Sequence, residues 1–198
     1  FEDYKVYGDT FTRTTPTAMA AARSWPARAS VGNYAIFAGG SSAVDAYDID
    51  LTRSTPTALS AARQDLAGAS VGDYALFAGG VIPSYYSSVV DAYNTNLVRS
   101  TPTALSAARN RLAGASVGNY ALFAGGYTGS VSAVVDAYDT DLTRSTPTTL
   151  SAARYGLAGA SVGNYALFAG GYTGSTYHST VDAYDTDLTH STPTTLSV

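Results

Sequence analysis

The stretch Gly32-Asn33-Tyr34-Ala35-Ile36-Phe37-Ala38-Gly39-Gly40 returns nearly unchanged three more times in a chain of 198 residues. Its last glycine is matched by Gly80, Gly126 and Gly171, so the copies lie 40, 46 and 45 residues apart. Two other segments keep this spacing: Val-Asp-Ala-Tyr, beginning at Val44, Val90, Val135 and Val181, and Thr-Pro-Thr, beginning at Thr15, Thr55, Thr101, Thr146 and Thr192. Repetition at this period indicates an array of similar structural units.

Each repeat predicts four short β-strands, which we call a, b, c and d in chain order. In the second repeat, strand a covers residues 66–71, strand b 74–78 and strand c 90–93, and strand d is the Thr/Arg/Ser run before Thr-Pro-Thr. Glycine pairs and Gly-Asx steps separate the apolar runs, as expected for hairpins. No 11-residue window carries a convincing helical periodicity, so we predict almost no helix.

Strand b carries apolar residues on both of its faces, with Tyr74, Leu76 and Ala78 on one and Ala75 and Phe77 on the other. A sheet with one solvated face would alternate apolar with polar residues, so this pattern predicts sheets packed on both sides. Strand a consists almost entirely of Ala, Gly, Ser and Val, whose small side chains suit an inner strand beside a central axis. Four-stranded units stacked radially around an axis make a β-propeller.

The repeat resembles the kelch repeat over essentially the whole chain. The resemblance rests on the Gly-Gly pair that ends strand b, the Tyr-Asp of strand c and the Arg that opens each unit. It implies a kelch-type propeller of four-stranded blades. One feature departs from the family, because kelch repeats usually carry a Trp in strand d, whereas Tyr47-Asp48 is followed by Asp50-Leu51-Thr52-Arg53. The activity of any particular kelch protein is therefore not carried over.

We predict an all-β, kelch-type propeller or propeller segment over residues 1–198. It contains four full blades at residues 24–59, 64–105, 110–150 and 155–196, after a degenerate, N-terminal c–d strand pair within residues 1–23. Arg28 stands where the other blades have Gly68, Gly114 and Gly159, which fits an atypical terminal unit. The extra c–d pair leaves closure open: its a–b strands could lie in further sequence, or self-association of chains could complete a ring.

Composition excludes several classes of partner. The net charge of −4 and pI near 4.9 argue against a nucleic-acid partner, which needs a basic surface. Lys5 is the sole lysine, so the chain has no polybasic membrane patch, and no apolar run reaches the length of a membrane-spanning helix. The chain has no cysteine, which removes thiol nucleophiles and thiolate metal sites, and with them the cysteine-linked tyrosine of the kelch copper oxidases.

The b–c loops are where the repeats stop agreeing, and a meander places all of them on one face. They carry the aromatic candidates for ligand binding, which are Tyr85, Tyr86, Tyr127, Tyr172 and Tyr177, together with His178. A rigid scaffold with variable loops is the usual layout of a recognition surface, and tyrosine offers rigid contact area with a hydroxyl. The alternative interpretation is that these rings cover the edges of blades.

Charged residues that recur in every repeat allow both a binding and a structural interpretation. Arg63, Arg109 and Arg154 precede strand a and could clamp a carboxylate ligand, or could donate hydrogen bonds to carbonyls of the d–a connection. The strand-c aspartates could pair with arginines between blades. The Asp-x-Asp steps, such as Asp48 with Asp50, fit an Asx turn better than a calcium site, because the second repeat has Asn94 and Asn96. We expect no metal and no cofactor.

The sequence favours a non-catalytic recognition or adhesion module that binds a glycan or a protein through the b–c loop face. We expect it outside the cell or on a virion or cell surface. The main alternative is an architectural kelch array that associates with copies of itself and has no other ligand. A glycan-active enzyme is the third hypothesis, and it would require an asymmetric cluster of polar residues, for which Tyr177-His178 is the one candidate.

Overall fold

The computed structural model describes residues 15–197 and contains only β-strands, turns and irregular segments in that range. Residues 15–197 accordingly form no helix long and apolar enough to cross a membrane. Four sheets of four strands each follow one another along the chain, and a small two-stranded hairpin is added to the second. The strands of blade 1 are β1 (Ala27–Val31), β2 (Tyr34–Ala38), β3 (Val44–Tyr47) and β4 (Arg53–Ser54).

The other three blades repeat this pattern. Blade 2 contains β5 (Ala67–Val71), β6 (Tyr74–Ala78), β9 (Val90–Asn94) and β10 (Arg99–Ser100), with the hairpin β7 (Val81–Ile82) and β8 (Tyr85–Tyr86) between β6 and β9. Blade 3 contains β11 (Ala113–Val117), β12 (Tyr120–Ala124), β13 (Val135–Tyr138) and β14 (Arg144–Ser145). Blade 4 contains β15 (Ala158–Val162), β16 (Tyr165–Ala169), β17 (Val181–Tyr184) and β18 (His190–Ser191).

Every blade is an antiparallel meander in the order a, b, c, d, as the sequence predicts. The register is the same in each, so that Phe77 of strand b stands opposite Asp91 of strand c, and Phe123 opposite Asp136. Each predicted blade range contains the four strands of one sheet. The predicted N-terminal c–d pair falls mainly on residues 1–14, outside the described residues, and residues 15–23 contain no strand.

The a strands pack side by side so closely that glycine is required. A β-carbon on Gly68 would lie 2.2 Å from the carbonyl oxygen of Arg28, and one on Gly159 would lie 2.2 Å from that of Gly114. Arg28 belongs to the first described blade, which has no earlier sheet beside it among residues 15–197. Among the described residues a side chain is therefore tolerated at this position of blade 1, and Arg28 is exposed there.

A row of serines links the a strands from blade to blade. The backbone N–H of Ser70 donates to Oγ of Ser116 at 3.0 Å, and that of Ser116 donates to Oγ of Ser161 at 2.9 Å. Ser30 joins the same row through its N–H, which donates to Oγ of Ser70 at 3.1 Å. Because each bond joins residues about one repeat apart, the row fixes the stagger between neighbouring blades.

An apolar core fills each junction between successive blades. At the junction of blades 2 and 3, the forward face of blade 2 meets the rear face of blade 3, where forward means toward the next blade in the chain. The forward face contributes Val71, Leu76 and Ala78, and the rear face contributes Ala121, Phe123 and Tyr138. The other two junctions repeat this arrangement with the corresponding residues. Burial on both faces of each inner sheet is what the apolar pattern of strand b predicts.

Candidate binding face

The meander places the b–c loops and the d–a connections on one side of the array, which we call the loop face. There the b–c loops of blades 2, 3 and 4 begin by pairing with a residue that lies three positions before strand a of the same blade. Tyr127 and Asn110 exchange two backbone hydrogen bonds of 2.9 and 3.1 Å, and Tyr172 and Tyr155 do the same. The pairing extends the rigid sheet into the variable segments, so the loops leave the scaffold from fixed positions.

The d–a connection that leads into the next blade packs against the Gly-Gly pair at the end of strand b and requires glycine there. The N–H of Gly80 donates to the carbonyl of Arg109 at 2.9 Å, which ties the b–c loop of blade 2 to the chain entering blade 3. Gly79 has φ +70°, and a β-carbon there would lie 2.6 Å from the same carbonyl oxygen. Because of the positive φ and this close approach, any residue other than glycine would be strained at this position.

Five tyrosine rings form a continuous row on the loop face, which we call the tyrosine row. Its members, drawn from blades 2, 3 and 4, are Tyr86, Tyr127, Tyr155, Tyr172 and Tyr177. Neighbouring ring centroids lie 5.9, 5.6, 5.8 and 4.7 Å apart, with the first three contacts edge-to-face. Such contacts contribute about 0.5–1.5 kcal/mol each beyond burial, so the rings hold one another in place.

Exposure differs along this row and beside it. Tyr177 is 84% exposed, and Tyr85, which adjoins the row on hairpin β7–β8, is 64% exposed. The remaining rings of the row are half-buried, so they pack on one another and still present an edge to solvent. His178 is half-buried too, and its Nδ1 lies 3.5 Å from Oγ1 of Thr180. The predicted tyrosines thus contribute to both packing and surface.

Sequence analysis missed two members of this face, Tyr155 and Arg111. Tyr155 lies in a d–a connection rather than a b–c loop, yet its ring joins those of Tyr127 and Tyr172. The guanidinium of Arg111 stands 5.7 Å from the centre of the Tyr155 ring, within reach of a cation–π interaction. The signal was present in the sequence, because the residues two and three positions before each a strand vary between repeats, as the b–c loops do.

The four a strands line a common space, which we call the axial channel, and one of these variable positions lies at its mouth. It is occupied by Trp25, Asp65, Arg111 and Gly156, all with φ between 52° and 66°. They border a cleft of about 520 Å³ whose apolar part comes from the leucines Leu66, Leu112 and Leu157. Left-handed φ favours glycine, so three larger side chains are held at this rim against a local backbone cost.

Polar contacts join the residues of this rim to one another. Arg111 donates its N–H to the carbonyl of Asp65 at 2.9 Å, and its Nε lies 3.3 Å from Oδ2 of the same residue. The N–H of Gly156 donates to the carbonyl of Arg111 at 2.9 Å. Trp25 is 77% exposed at the same mouth. The cleft therefore offers an aromatic face, an accessible ion pair and apolar walls beside the tyrosine row.

The repeated arginines are buried, whereas a ligand clamp requires accessible guanidinium groups. Arg63, Arg109 and Arg154 are at most 1% exposed, and each pairs with the strand-c aspartate of the blade that it enters. Arg63 donates to the carbonyls of Gly79 and Val89. Arg109 and Arg154 each donate to a carbonyl of the d–a connection, as expected, those of Ala107 and Ala152. Burial favours their structural role, so we leave these arginines out of the binding face.

The strand-c aspartates Asp91 and Asp136 each pair with the arginine between their blade and the preceding one, as expected, and also with the arginine of strand d in their own blade. Asp136 accepts from Arg109 at 2.7 Å and from Arg144 at 2.8 Å, and also from the backbone N–H of Ser106 at 3.0 Å. Burial alone would raise the pKa of Asp136, but the two guanidinium groups and the hydroxyl of Ser106 outweigh it and hold the pKa below its usual value. Burial lowers the pKa of Arg109, partly offset by this carboxylate.

The Asp-x-Asp steps are Asx turns. Oδ1 of Asp48 accepts the N–H groups of Asp50 at 3.0 Å and Thr52 at 2.8 Å, and Asn94 makes the same two bonds in blade 2. An amide oxygen serves as well as a carboxylate, which explains the Asn in the second repeat. Among residues 15–197, no three His, Asp or Glu side chains gather closely enough to hold a metal ion.

Comparison with known proteins addresses the fold. No protein-family model matches the chain, and no curated protein sequence matches it. A solved structure entitled "Structure of YjhT", that of a kelch-type propeller protein, superposes with a TM-score of 0.72 over 87% of this chain. The fold is a β-propeller. At 12% sequence identity the likeness concerns the fold alone, and the match covers 65% of the YjhT chain.

Proposed function

We propose that this propeller is a non-catalytic binding module whose contact surface is the loop face. The observation that carries the proposal is the tyrosine row beside a cleft rimmed by Trp25, Asp65 and Arg111. In an array of nearly identical repeats, variation concentrates in the b–c loops and the residues two and three positions before strand a, and both segments reach this face. Variable loops on a rigid scaffold are the general arrangement of recognition sites.

The surface chemistry favours a glycan chain as ligand. Tyrosine and tryptophan rings can stack on the apolar faces of sugar rings, while hydroxyl, Asn and Gln groups and the Asp65–Arg111 pair can meet sugar hydroxyls. The row follows several blades, which suits an elongated ligand better than a compact one. A protein ligand is the other class that such a tyrosine-rich surface can accommodate. We also propose that the protein lies outside the cell or on the surface of a cell or virion.

We further propose that the repeats are divergent kelch repeats. Support comes from the Gly-Gly pair, whose second glycine bonds to the next connection, and from the buried pairing of the opening Arg with the aspartate of strand c. The Gly-Gly pair and the opening Arg are two of the three features on which the sequence resemblance rests. The strand-d positions lack the usual Trp and carry Arg99 or Arg144, whose guanidinium groups complete the pairing with that aspartate.

A glycan-array screen of the whole chain tests the ligand proposal. Tyr127→Ala with Tyr172→Ala removes the centre of the row, and Tyr165→Ala is the matched control, because Tyr165 is 48% exposed but lies away from the loop face. We expect reproducible glycan binding that the double variant loses and the control keeps. Glycan binding that survives in the double variant would refute the assignment of the loop face. An array without any binding would refute a glycan as the ligand and leave a protein as the remaining class of ligand.

A further inference from the structure

We propose that Tyr172 and Tyr177 form a site of oxidative cross-linking, at which a haem peroxidase with hydrogen peroxide joins the two phenol rings by a carbon–carbon bond. The proposal does not depend on the ligand of the loop face. It rests on the geometry of the two rings, on a comparison with the corresponding loops of blades 2 and 3, and on the exposure of one ring to solvent.

The two rings are neighbours across a small hairpin in the b–c loop of blade 4. Tyr172 and Tyr177 form an antiparallel bridge, and inside it the N–H of Thr173 donates to the carbonyl of Thr176 at 3.1 Å. Gly174, with φ +96°, helps to turn the chain between them. Residues directly opposite each other in an antiparallel pair direct their side chains to the same face. The backbone therefore holds the two tyrosines side by side.

The separation of these two rings distinguishes them from the rest of the tyrosine row. Their centroids lie 4.7 Å apart and their planes are tilted by 42°. The other three contacts of the row are longer, at 5.9, 5.6 and 5.8 Å, and edge-to-face. Coupling requires a carbon at the edge of one ring to meet a carbon at the edge of the other, whereas an edge-to-face contact directs an edge at a face. Tyr172 and Tyr177 are thus the neighbours in the row that are placed best for coupling.

The corresponding loops of blades 2 and 3 carry tyrosine on one side of the pair and an aliphatic residue on the other. In blade 3 the bridge joins Tyr127 to Val131, and in blade 2 the hairpin β7–β8 pairs Val81 with Tyr86. A pair of this kind is therefore formed with valine on either side. Since the hairpin does not require a second tyrosine, Tyr177 adds a property that the other two loops lack.

An oxidant has access to the pair through Tyr177. This side chain is 84% exposed, so its ring meets solvent and can turn about its side-chain bonds. Tyr172 is half-buried, and its hydroxyl donates to the carbonyl of Gly174 at 2.9 Å. One ring is therefore held in place while the other can adjust to it. Because the chain has no cysteine, no thiol competes for the oxidant.

The reaction balances with one molecule of hydrogen peroxide. Each phenol loses one electron and its hydroxyl proton to give a phenoxyl radical, and the two radicals couple through the ring carbons next to the hydroxyl-bearing carbons. The hydrogens on the coupled carbons then move, as protons, to the two oxygens, which restores both aromatic rings. The two electrons and two protons that were released reduce the peroxide to two molecules of water. The new bond closes the b–c loop of blade 4 covalently and fixes the exposed ring of Tyr177 on the loop face.

Treatment of the dilute full chain with a haem peroxidase and hydrogen peroxide tests the proposal. Covalent dimers are removed by gel filtration under denaturing conditions, so that only links within one chain are measured. We expect the monomer to show dityrosine fluorescence, and peptide mass spectrometry to find Tyr172 joined to Tyr177 with the loss of two hydrogen atoms. A monomer without dityrosine, or a link that maps to another pair, would overturn the proposal.

Two variants separate this pair from general oxidation of exposed tyrosines. Tyr177→Val reproduces the bridge of blade 3 and should lower the dityrosine content of the monomer at least tenfold. Tyr85→Val is the matched control, because Tyr85 is also exposed on a b–c loop, at 64%, but its cross-strand partner is Ile82. This variant should form as much dityrosine as the original chain, and circular dichroism checks that both variants fold. Dityrosine that persists in Tyr177→Val, or that is lost in Tyr85→Val, would show the assignment to be wrong.

Discussion

The carbonyl oxygen of Gly68 lies 2.3 Å from the point that a β-carbon on Gly114 would occupy. The same relationship joins Gly114 to Gly159 and Arg28 to Gly68, so the inner strands of four blades approach through bare backbone. A methyl group would have to push two sheets apart. The spacing of the array therefore depends on one glycine in each of blades 2, 3 and 4.

Gly114→Ala should lower the free energy of unfolding by about 2–3 kcal/mol, because overpacking against backbone cannot be relieved by a rotamer change. Arg28→Ala, at the matching position of blade 1, should change it by less than about 0.5 kcal/mol, since a β-carbon is already present there. Urea denaturation of the two variants beside the original chain measures both. Equal stability of all three proteins would contradict the packing explanation.

Arg109→Met should lower the free energy of unfolding by about 3–5 kcal/mol, because it leaves the carboxylate of Asp136 buried without one of its two cations. Arg111→Met is the matched control. The Arg111 side chain is 55% exposed and its contact with Asp65 is screened by solvent, so the expected loss is below about 1 kcal/mol. If the two variants were equally destabilised, the buried Arg109–Asp136 pair would contribute no more to stability than the exposed Arg111–Asp65 pair.

Acid should unfold the protein. The pKa values of Asp136 and Asp182 are lower in the folded state than the usual value near 4, because in each the hydrogen bonds and nearby cations outweigh the effect of burial. A lowered pKa contributes stability that is fully present above the unfolded value and is lost as pH falls toward the folded one. The midpoint of urea unfolding should therefore fall steadily below about pH 4. A midpoint that rose between pH 5 and pH 3 would be contrary to this assignment.

Tyr155→Ala should weaken ligand binding on the loop face, although Tyr155 lies outside the b–c loops. Its loss interrupts the row between Tyr127 and Tyr172 and removes the ring over which Arg111 lies. We expect a loss of about 1 kcal/mol, or about fivefold in Kd, measured by titration with a glycan found in the array screen. Unchanged affinity in Tyr155→Ala, together with a loss in Tyr172→Ala, would confine the site to the loop of blade 4.

The b–c loop of blade 2 shows where the sequence could have been used further. Val81-Ile82 and Tyr85-Tyr86 are β-formers on either side of the two residues Pro83-Ser84, a pattern that predicts a tight hairpin, and the structure contains it as β7–β8. Sequence analysis treated this segment as a variable loop and predicted no strand in it. Comparison between repeats identifies variable segments but does not reveal the structure within them.

The sequence by itself determined the repeat, the four strands of each blade, the meander and the stacking of sheets on both faces. These follow from local patterns: apolar residues on both faces of strand b, glycine pairs at its end and small residues on the innermost strand. Features that depend on contacts between residues far apart in the sequence were decided by tertiary structure alone. They include the burial of Arg63, Arg109 and Arg154 and the entry of Tyr155 into the row. The physical reason is that the burial and contacts of a side chain depend on what the neighbouring blade places against it, and this is set by how the blades pack.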